Sequence, residues 1–205
     1  MKLVFATNNR HKLEEVRQML PSVYDVLSLC DIGCTEEVEE TGVTLEENSL
    51  LKAQHAAAWM AAHGLTDVSG VFADDTGLEV EALDGRPGVH TARYAGEPAD
   101  DAANRRKLLE ELARTGDKAR RACFRTVVTL LFRNRVIRLE GQVDGIIASA
   151  ERGTGGFGYD SLFIPAEGDG LHFAEMSAAE KNLLSHRGRA MTQLKQTLQS
   201  LTAEP

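Results

Sequence analysis

Two adjacent carboxylates, Asp74 and Asp75, follow a short apolar run in the stretch VFADDTGLEV, residues 71–80. Paired acids at the end of a buried strand suit two tasks, because a carboxylate binds a hard cation such as Mg²⁺ and can also take a proton from water. Thr76-Gly77 has the composition of a turn, and Asp is common in turns because its side chain bonds the nearby backbone. The stretch is compatible with a catalytic acid pair and with an acidic hairpin turn.

A lysine follows a polar turn near the amino terminus, in the segment ATNNRHK, residues 6–12. A strand that leads through such a turn into a helix presents backbone amides at the helix start, where anions bind. Lys12 would add a point charge for a phosphate, and Thr7 and Asn8 would add neutral hydrogen bonds. An ordinary strand-to-helix turn with Asn9 as the helix cap explains the same residues.

Glycine is concentrated in the segment GTGGFGYD, residues 153–160. Its first six residues match G-x-G-x-x-G, but a dinucleotide site needs that motif to open a helix, and residues 159–164 have a strand pattern instead. The glycines would let backbone approach a ligand, Phe157 and Tyr159 would offer an aromatic face to a base, and Asp160 would accept hydrogen bonds. A flexible loop with one packed aromatic ring is the alternative.

The segment EKNLLSHRGRA, residues 180–190, combines Lys181 in a first helical turn with His186 and Arg187 at a kink or fresh helix start. His and Arg together suit recognition of a base carbonyl or a phosphate. The alternative is a solvated helix face. These side chains are candidates for ligand binding that need support from the rest of the chain.

Acidic residues also precede the second predicted helix, in the segment VEETG, residues 38–42. Glu39 could join Asp74 or Asp75 around a hard cation, because Mg²⁺ takes few carboxylates and keeps several waters. An acidic surface loop is the alternative.

Alternating strand and helix patterns must position these residues. Apolar periodicity predicts strands at 2–6, 24–29, 122–132, 136–147 and 161–164, and helices at 12–20, 45–63, 100–114 and 178–201. Thr44 with Glu47, and Ser177 with Glu180, form two capping boxes. The pattern predicts an α/β fold with a mixed sheet, in a single domain spanning residues 1–205.

Composition excludes several classes of function. A net charge of −8 over 205 residues does not favour DNA or RNA as a partner, because such proteins need a broad basic face. The apolar runs have strand length, so no membrane association is predicted. Three cysteines in no disulfide spacing suit a reducing cytoplasm.

In this order, the motifs resemble those of the inosine/xanthosine triphosphate pyrophosphatase family over nearly the whole chain. The shared motifs are T-[GN]-N-x-x-K (7–12), E-E-T-G (39–42), E-N-[AS]-x-x-K-A (47–53), D-D-[ST]-G (74–77), P-G-[IV]-x-[ST]-A-R-Y (87–94), T-G-G-F-G-Y-D (154–160) and S-H-R-G (185–188). Asn8 stands where Gly is frequent in that family, and Thr76 where Ser is usual.

The resemblance implies a fold and a set of site residues. The implied fold is a long twisted mixed β-sheet with surrounding helices, two lobes flanking a central substrate cleft, assembled as a homodimer. Asp75 would be the general base and a Mg²⁺ ligand, with Glu39 as a second metal ligand. The substrate would be bound by Thr7, Asn8, Asn9, Arg10, His11, Lys12, Lys52, Thr76, Phe157, Gly158, Tyr159, Asp160, Lys181, His186 and Arg187.

The implied reaction is hydrolysis of non-standard purine nucleoside triphosphates (ITP, dITP and XTP) to the monophosphate and pyrophosphate. Water would attack the α-phosphorus with help from Mg²⁺. A related alternative is the septum-associated Maf-like family, whose amino-terminal loop is typically rich in Ser, Pro and Arg. A non-catalytic nucleotide sensor or RNA-binding module on the same scaffold is another, although it would not need Glu39, Asp74 and Asp75.

Overall fold

A computed structural model describes residues 1–36, 38–116 and 120–203 of the chain. The strands are β1 (Lys2–Phe5), β2 (Asp25–Ser28), β3 (Gly70–Val80), β4 (Pro87–Gly88), β5 (Arg121–Phe132), β6 (Arg135–Ile147) and β7 (Phe163–Pro165). The α-helices are α1 (Arg10–Met19), α2 (Leu45–Ala62), α3 (Asp101–Thr115), α4 (Ala178–Leu184) and α5 (His186–Ala203). Short 3-10 helices cover Glu81–Leu83, Thr91–Arg93 and Phe173–Glu175.

The strands form a mixed sheet. Their order is β2-β1-β3-β5-β6-β7, and β4 pairs with β3. β1 runs parallel to β2 and to β3, whereas β4 is antiparallel to β3 and β7 is antiparallel to β6. The predicted α/β class with a mixed sheet and surrounding helices is confirmed.

The described chain divides into two compact units, each with its own apolar core. The first comprises Met1–Asp75, Thr126–Glu140 and Ala190–Pro205. Within it, alternate strand residues pack in opposite directions, as the two-residue period of a strand requires. Leu3, Phe5 and Phe72 pack with α1 and α5 in one cluster. The neighbouring strand residues pack with α2 in another cluster; these are Val4, Ala6, Val71 and Ala73.

The second unit comprises Thr76–Arg125 and Gly141–Arg189. Its core is centred on aromatic rings. Phe163 packs edge-on against Phe124 with ring centroids 4.8 Å apart, and against Phe173 at 5.2 Å. The predicted arrangement of two lobes around a cleft, within one domain, stays a prediction.

The predicted turn at Thr76-Gly77 is wrong. β3 continues from Gly70 to Val80 without interruption, so both aspartates lie within a strand and not at its end. Nearly all of its side chains are buried, and burial on both faces favours a long extended segment over a solvated hairpin. The acid pair is therefore held by a rigid element of the sheet.

Other boundaries differ from the prediction by a few residues. α1 begins at Arg10, two residues early, because Asn9 caps it by accepting a hydrogen bond from the Lys12 backbone N–H. Residues 159–162 form hydrogen-bonded turns and not a strand, and β7 includes Pro165. No helix in the described part of the chain is both long enough and apolar enough to cross a bilayer.

The predicted capping boxes and the fresh helix start are confirmed. Thr44 and Ser177 exchange hydrogen bonds with their glutamates at the starts of α2 and α4. α4 ends at Leu184, and Ser185 adopts an extended conformation before α5 begins at His186. The Ser185 hydroxyl accepts a hydrogen bond from the Gly188 backbone N–H, so this residue caps the new helix.

Candidate functional site

Asp75 is held by two donors from α2. Lys52 Nζ lies 2.6 Å from Asp75 Oδ1 and 2.9 Å from Glu40 Oε1. Asn48 Nδ2 donates to Asp75 Oδ2 at 3.3 Å. Both carboxylate oxygens of Asp75 therefore have a partner, and the orientation of the group is defined.

Asp74 pairs with a different lysine. Lys12 Nζ, on α1, lies 3.0 Å from Asp74 Oδ1. The two adjacent aspartates thus meet lysines from different helices, because consecutive strand residues point to opposite faces. Both of these lysine–aspartate pairs lie in the first unit and are largely shielded from water.

Burial and charge act in opposite directions on these groups. Burial raises the pKa of Asp75, and the nearby ammonium groups of Lys52 and Lys12 offset only part of that effect. Burial by itself would lower the pKa of Lys52, but the carboxylates of Asp75, Glu40 and Asp74 outweigh it, so the pKa is raised. Lys52 keeps its proton, and Asp75 has the raised pKa expected of a general base in a shielded site.

The segment from Thr7 to Lys12 forms the predicted polar turn and helix start. Thr7 Oγ1 accepts a hydrogen bond from the Asn9 backbone N–H at 3.2 Å. Asn8, Arg10 and His11 are exposed, and Lys12 is half-buried. The turn lies beside Asp74 through the Lys12 contact, while phosphate binding by its residues stays a prediction.

Glu40, and not Glu39, contacts the acid pair through Lys52. Glu39 is exposed, whereas the Glu40 carboxylate is half-buried against Lys52 Nζ. Among residues 1–36, 38–116 and 120–203, no three His, Cys, Asp or Glu side chains converge closely enough to hold a metal ion alone. The assignment of Glu39 as a metal ligand stays a prediction, and Glu40 is an additional candidate that the sequence did not single out.

In the second unit, Asp160 organises the glycine-rich segment. Its Oδ2 atom accepts hydrogen bonds from the Phe157 backbone N–H at 2.9 Å and from Lys181 Nζ at 2.6 Å. Gly156 has a φ of +71°, and a Cβ there would collide with the Asp160 carboxylate, so this position requires glycine. Asp160 acts on the loop and on Lys181, and its role as a substrate contact stays a prediction.

Two cations lie over the ring of Phe157. Lys181 Nζ is 5.0 Å from the ring centroid and Arg187 Cζ is 5.7 Å from it. Arg187 is only 2% exposed, and its Nη2 donates to Thr76 Oγ1 at 3.2 Å. His186 is also buried and stacks on Phe124 with centroids 4.6 Å apart. The structure brings these predicted residues together, and base recognition by His186 and Arg187 stays a prediction.

Tyr159 does not present its ring as predicted. It is 3% exposed, packs in the core of the second unit, and its hydroxyl donates to the Thr91 carbonyl at 3.1 Å. Between the two aromatic candidates, Phe157 is the one that is partly exposed. A stacking face for a base would therefore be that of Phe157.

Two residues of α3 that the sequence did not single out fix Gly158. Asp101 Oδ2 accepts a hydrogen bond from the Gly158 N–H at 2.8 Å, and Arg105 Nη1 donates to the Gly158 carbonyl at 2.8 Å. Both residues lie in the first two turns of α3. No local sequence signal connects them to a loop more than fifty residues away.

The fold and these contacts define the class: an α/β protein with shielded lysine–aspartate pairs in its first unit and an aromatic ring covered by two cations in its second. The chain belongs to the Ham1 family, whose model matches residues 3–197. The resemblance seen in the sequence motifs is confirmed.

Relatives of known name cover almost the whole chain. A dITP/XTP pyrophosphatase of Porphyromonas gingivalis is 52% identical over 197 residues, which are 96% of this chain and 97% of that protein. A dITP/XTP pyrophosphatase of Bacillus subtilis is 43% identical over 199 residues, 96% of each chain. A solved HAM1 protein from Coxiella burnetii matches 98% of this chain and 99% of its own, with 35% identity and a TM-score of 0.86.

Proposed function

We propose that this protein hydrolyses non-standard purine nucleoside triphosphates, namely ITP, dITP and XTP, to the monophosphate and pyrophosphate. The observation that carries the proposal is the pair of shielded lysine–aspartate contacts, Lys12–Asp74 and Lys52–Asp75. Phosphoryl-transfer sites combine cations for the phosphates with a carboxylate for the attacking water. The names of the Porphyromonas and Bacillus relatives support the same reaction.

The lysines would bind the phosphate chain. Their positive charges are balanced by the carboxylates of Asp74 and Asp75. The phosphate groups of a triphosphate are also negatively charged and would give the ammonium groups alternative partners. Lys12 also lies near backbone amides at the start of α1, which favour anions. Residues Thr7 to His11 would complete that contact.

Asp75 would orient and deprotonate the attacking water at the α-phosphorus. Its raised pKa, caused by burial and partly offset by Lys52 and Lys12, makes it a better proton acceptor than an exposed aspartate. The contacts from Asn48 and Lys52 hold the carboxylate in one orientation. A positioned base of this kind suits hydrolysis.

The donor set fits Mg²⁺. Carboxylates are hard oxygen ligands, and Mg²⁺ in such sites takes one or two of them and completes its shell with phosphate oxygens and water. Asp75, with Asp74, Glu39 or Glu40, would supply these ligands. Bound Mg²⁺ would supply charge neutralisation at the phosphates and acidification of water.

The residues of the second unit would bind the purine. Phe157 offers a partly exposed ring, and Arg187 and His186 are donors suited to a 6-keto oxygen. Asp75 and Thr76 are consecutive in β3, and Thr76 accepts a hydrogen bond from Arg187. The proposed base and this purine-binding candidate are therefore neighbours in the sequence.

The decisive experiment measures pyrophosphate release from ITP, dITP, XTP, ATP, GTP and a pyrimidine triphosphate, with Mg²⁺ and with EDTA. We expect rapid Mg²⁺-dependent release from the first three and slow release from the others. Preference for the pyrimidine would instead favour the Maf-like alternative. Binding of ITP without hydrolysis would favour the sensor. The cytoplasmic location indicated by the cysteines and the homodimeric state implied by the resemblance both stay predictions.

A further inference from the structure

Asn48 occupies a fully buried position on α2 and has a defined amide orientation. Its Oδ1 atom accepts a hydrogen bond from the Gly42 backbone N–H at 2.9 Å. A backbone N–H can only donate, so the oxygen of the amide must face Gly42 and the nitrogen must face Asp75. The contact with Asp75 therefore requires the acceptor form of that carboxylate oxygen.

Asn48 and Lys52 make parallel connections. They lie four residues apart on α2, hence on the same helix face. Each contacts the segment 38–42 with one bond and Asp75 with another: Asn48 joins Gly42 N to Asp75 Oδ2, and Lys52 joins Glu40 Oε1 to Asp75 Oδ1. This arrangement couples the position of the loop to the orientation of the carboxylate.

Gly42 is closely fitted to the amide. A Cβ added there would lie 2.5 Å from Asn48 Oδ1 and 2.7 Å from the Glu47 Cβ, both too close for real atoms. A side chain larger than hydrogen at this position would displace the amide. Close packing therefore holds Asn48 in place from the side opposite Asp75.

We propose that Asn48 is a positioning residue for the reaction, which fixes the carboxylate plane of Asp75 and locks it to the loop carrying Glu39 and Glu40. The inference rests on the proposed function, because it presumes that Asp75 acts as the base. Asn48 itself has no access to solvent, so it does not contact the substrate. Loss of orientation at a reacting group typically costs about 100-fold for a displacement near 1 Å.

Asn48→Ala tests the proposal, with Ser49→Ala as the matched control. Ser49 is equally buried on the same helix, but its hydroxyl bonds Thr129 and the Glu46 carbonyl and has no contact with Asp75. We expect Asn48→Ala to lower kcat for ITP roughly 10- to 100-fold while KM changes less than about 3-fold. Ser49→Ala should lower the thermal midpoint comparably and leave kcat within about 2-fold.

A double-mutant cycle with Asp75→Asn separates positioning from a general loss of stability. If Asn48 acts through Asp75, Asn48→Ala should cost kcat little once Asp75 is already Asn. The same cycle is measured by urea unfolding, where the effects of Asn48→Ala and Asp75→Asn on the free energy of unfolding should be non-additive. Additive effects in both measurements would overturn the proposal, as would equal kcat losses for Asn48→Ala and Ser49→Ala.

Gly42→Ala provides a second perturbation if Asn48→Ala folds poorly. It keeps the amide but displaces it, so kcat should fall with little change in KM; an unchanged kcat in a folded Gly42→Ala protein would count against the proposal. The unfolding cycle needs no activity. Absence of all hydrolysis in the wild-type protein would therefore refute the proposed function while non-additive unfolding still verified the Asn48–Asp75 contact.

Discussion

Asp75 is a buried carboxylate whose two oxygens are both satisfied, by Lys52 and by Asn48. Such a group needs these partners, because an uncompensated charge inside a protein is costly. Its neighbours therefore explain how the chain tolerates this acid in the middle of a largely buried strand. They also define what happens when the acid is changed.

We expect Asp75→Asn to fold normally and to lose about 10²- to 10⁴-fold in kcat for ITP, because a positioned base is removed while the side-chain volume is kept. Steady-state kinetics with saturating Mg²⁺ measure the loss of kcat, and far-UV circular dichroism checks that the variant is folded. Asp67→Asn is the control, since Asp67 is exposed and pairs with Lys2 on the surface. Near-normal turnover by Asp75→Asn would contradict the assigned role.

The pH profile should report the environment of Asp75. Because burial raises its pKa, activity should fall as the pH drops through a value above the ordinary aspartate value of about 4. Lys52 and Lys12 both lower that pKa, so Lys52→Met should move the acid limb of kcat/KM to higher pH. Lys2→Met, on the surface, should leave it in place. An acid limb that does not move in Lys52→Met would rule out Asp75 as the titrating group.

Arg187 tests the origin of base preference. Arginine can only donate hydrogen bonds, so it can pair with a 6-keto oxygen and not with an adenine amino group. An unsatisfied buried donor costs ~1–3 kcal/mol, so Arg187→Ala should narrow the ITP-to-ATP ratio of kcat/KM by roughly ten- to a hundred-fold. Arg189→Ala, which loses a surface pair with Glu167, is the control. A constant ratio with lower rates would mean that Arg187 supports Thr76 and Phe157 without reading the base.

Charged site candidates are easier to predict from sequence than their neutral partners. Asp75, Lys12 and Lys52 are predicted as site residues, and the structure places them in contact pairs. The contact of Asn48 with Asp75 is not predicted, because a single Asn near a helix start resembles ordinary capping chemistry. The choice between Glu39 and Glu40 depends on which carboxylate faces Lys52, and an irregular loop has no periodicity from which to infer that.

At the scale of elements, α3 supports the glycine-rich loop by holding both backbone groups of Gly158. Loops that bind ligands need such support, because flexibility must otherwise be lost on binding. We therefore expect the contacts of α3 with Gly158 to affect substrate affinity although α3 itself does not contact the substrate.

We expect Arg105→Leu to raise KM for ITP by about ten-fold, since a hydrogen bond from a charged donor to the Gly158 carbonyl is lost. The value of kcat should change much less, because Asp75 and its partners are unaffected. Arg106→Leu, the exposed neighbour on the same helix, is the control. Equal KM values for the two variants would show that the Arg105–Gly158 contact has no effect on substrate binding.

Elements with strong local signals were predicted well. The capping boxes at Thr44 and Ser177 indicate two helix starts correctly, and the turn at Arg133-Asn134, both residues with positive φ, joins β5 to β6, whose strand patterns are predicted at 122–132 and 136–147. The predicted turn at Thr76-Gly77 is wrong because the pairing of β3 with its neighbouring strands outweighs the local preference of these residues for a turn. Tertiary hydrogen bonds of that kind leave no local trace in the sequence.

For the whole molecule, the resemblance predicts a homodimer. Val43 and Leu183 are about 80% exposed in the single chain, and association would offer such side chains a way to leave water. Sedimentation equilibrium should give twice the chain mass of 22.4 kDa over a range of concentrations. A mass of one chain at every concentration would contradict the prediction.

The continuity of β3 has a consequence for how this chain can change in length. Inserting or deleting one residue between Gly70 and Asp75 would turn every following side chain to the other face, exchanging the partners of the two aspartates. A deletion would bring Asp75 to the position that faces Lys12, and an insertion would bring Asp74 to the position that faces Lys52. Among homologues we therefore expect insertions and deletions to fall in the connections between elements, and this strand to keep a constant length.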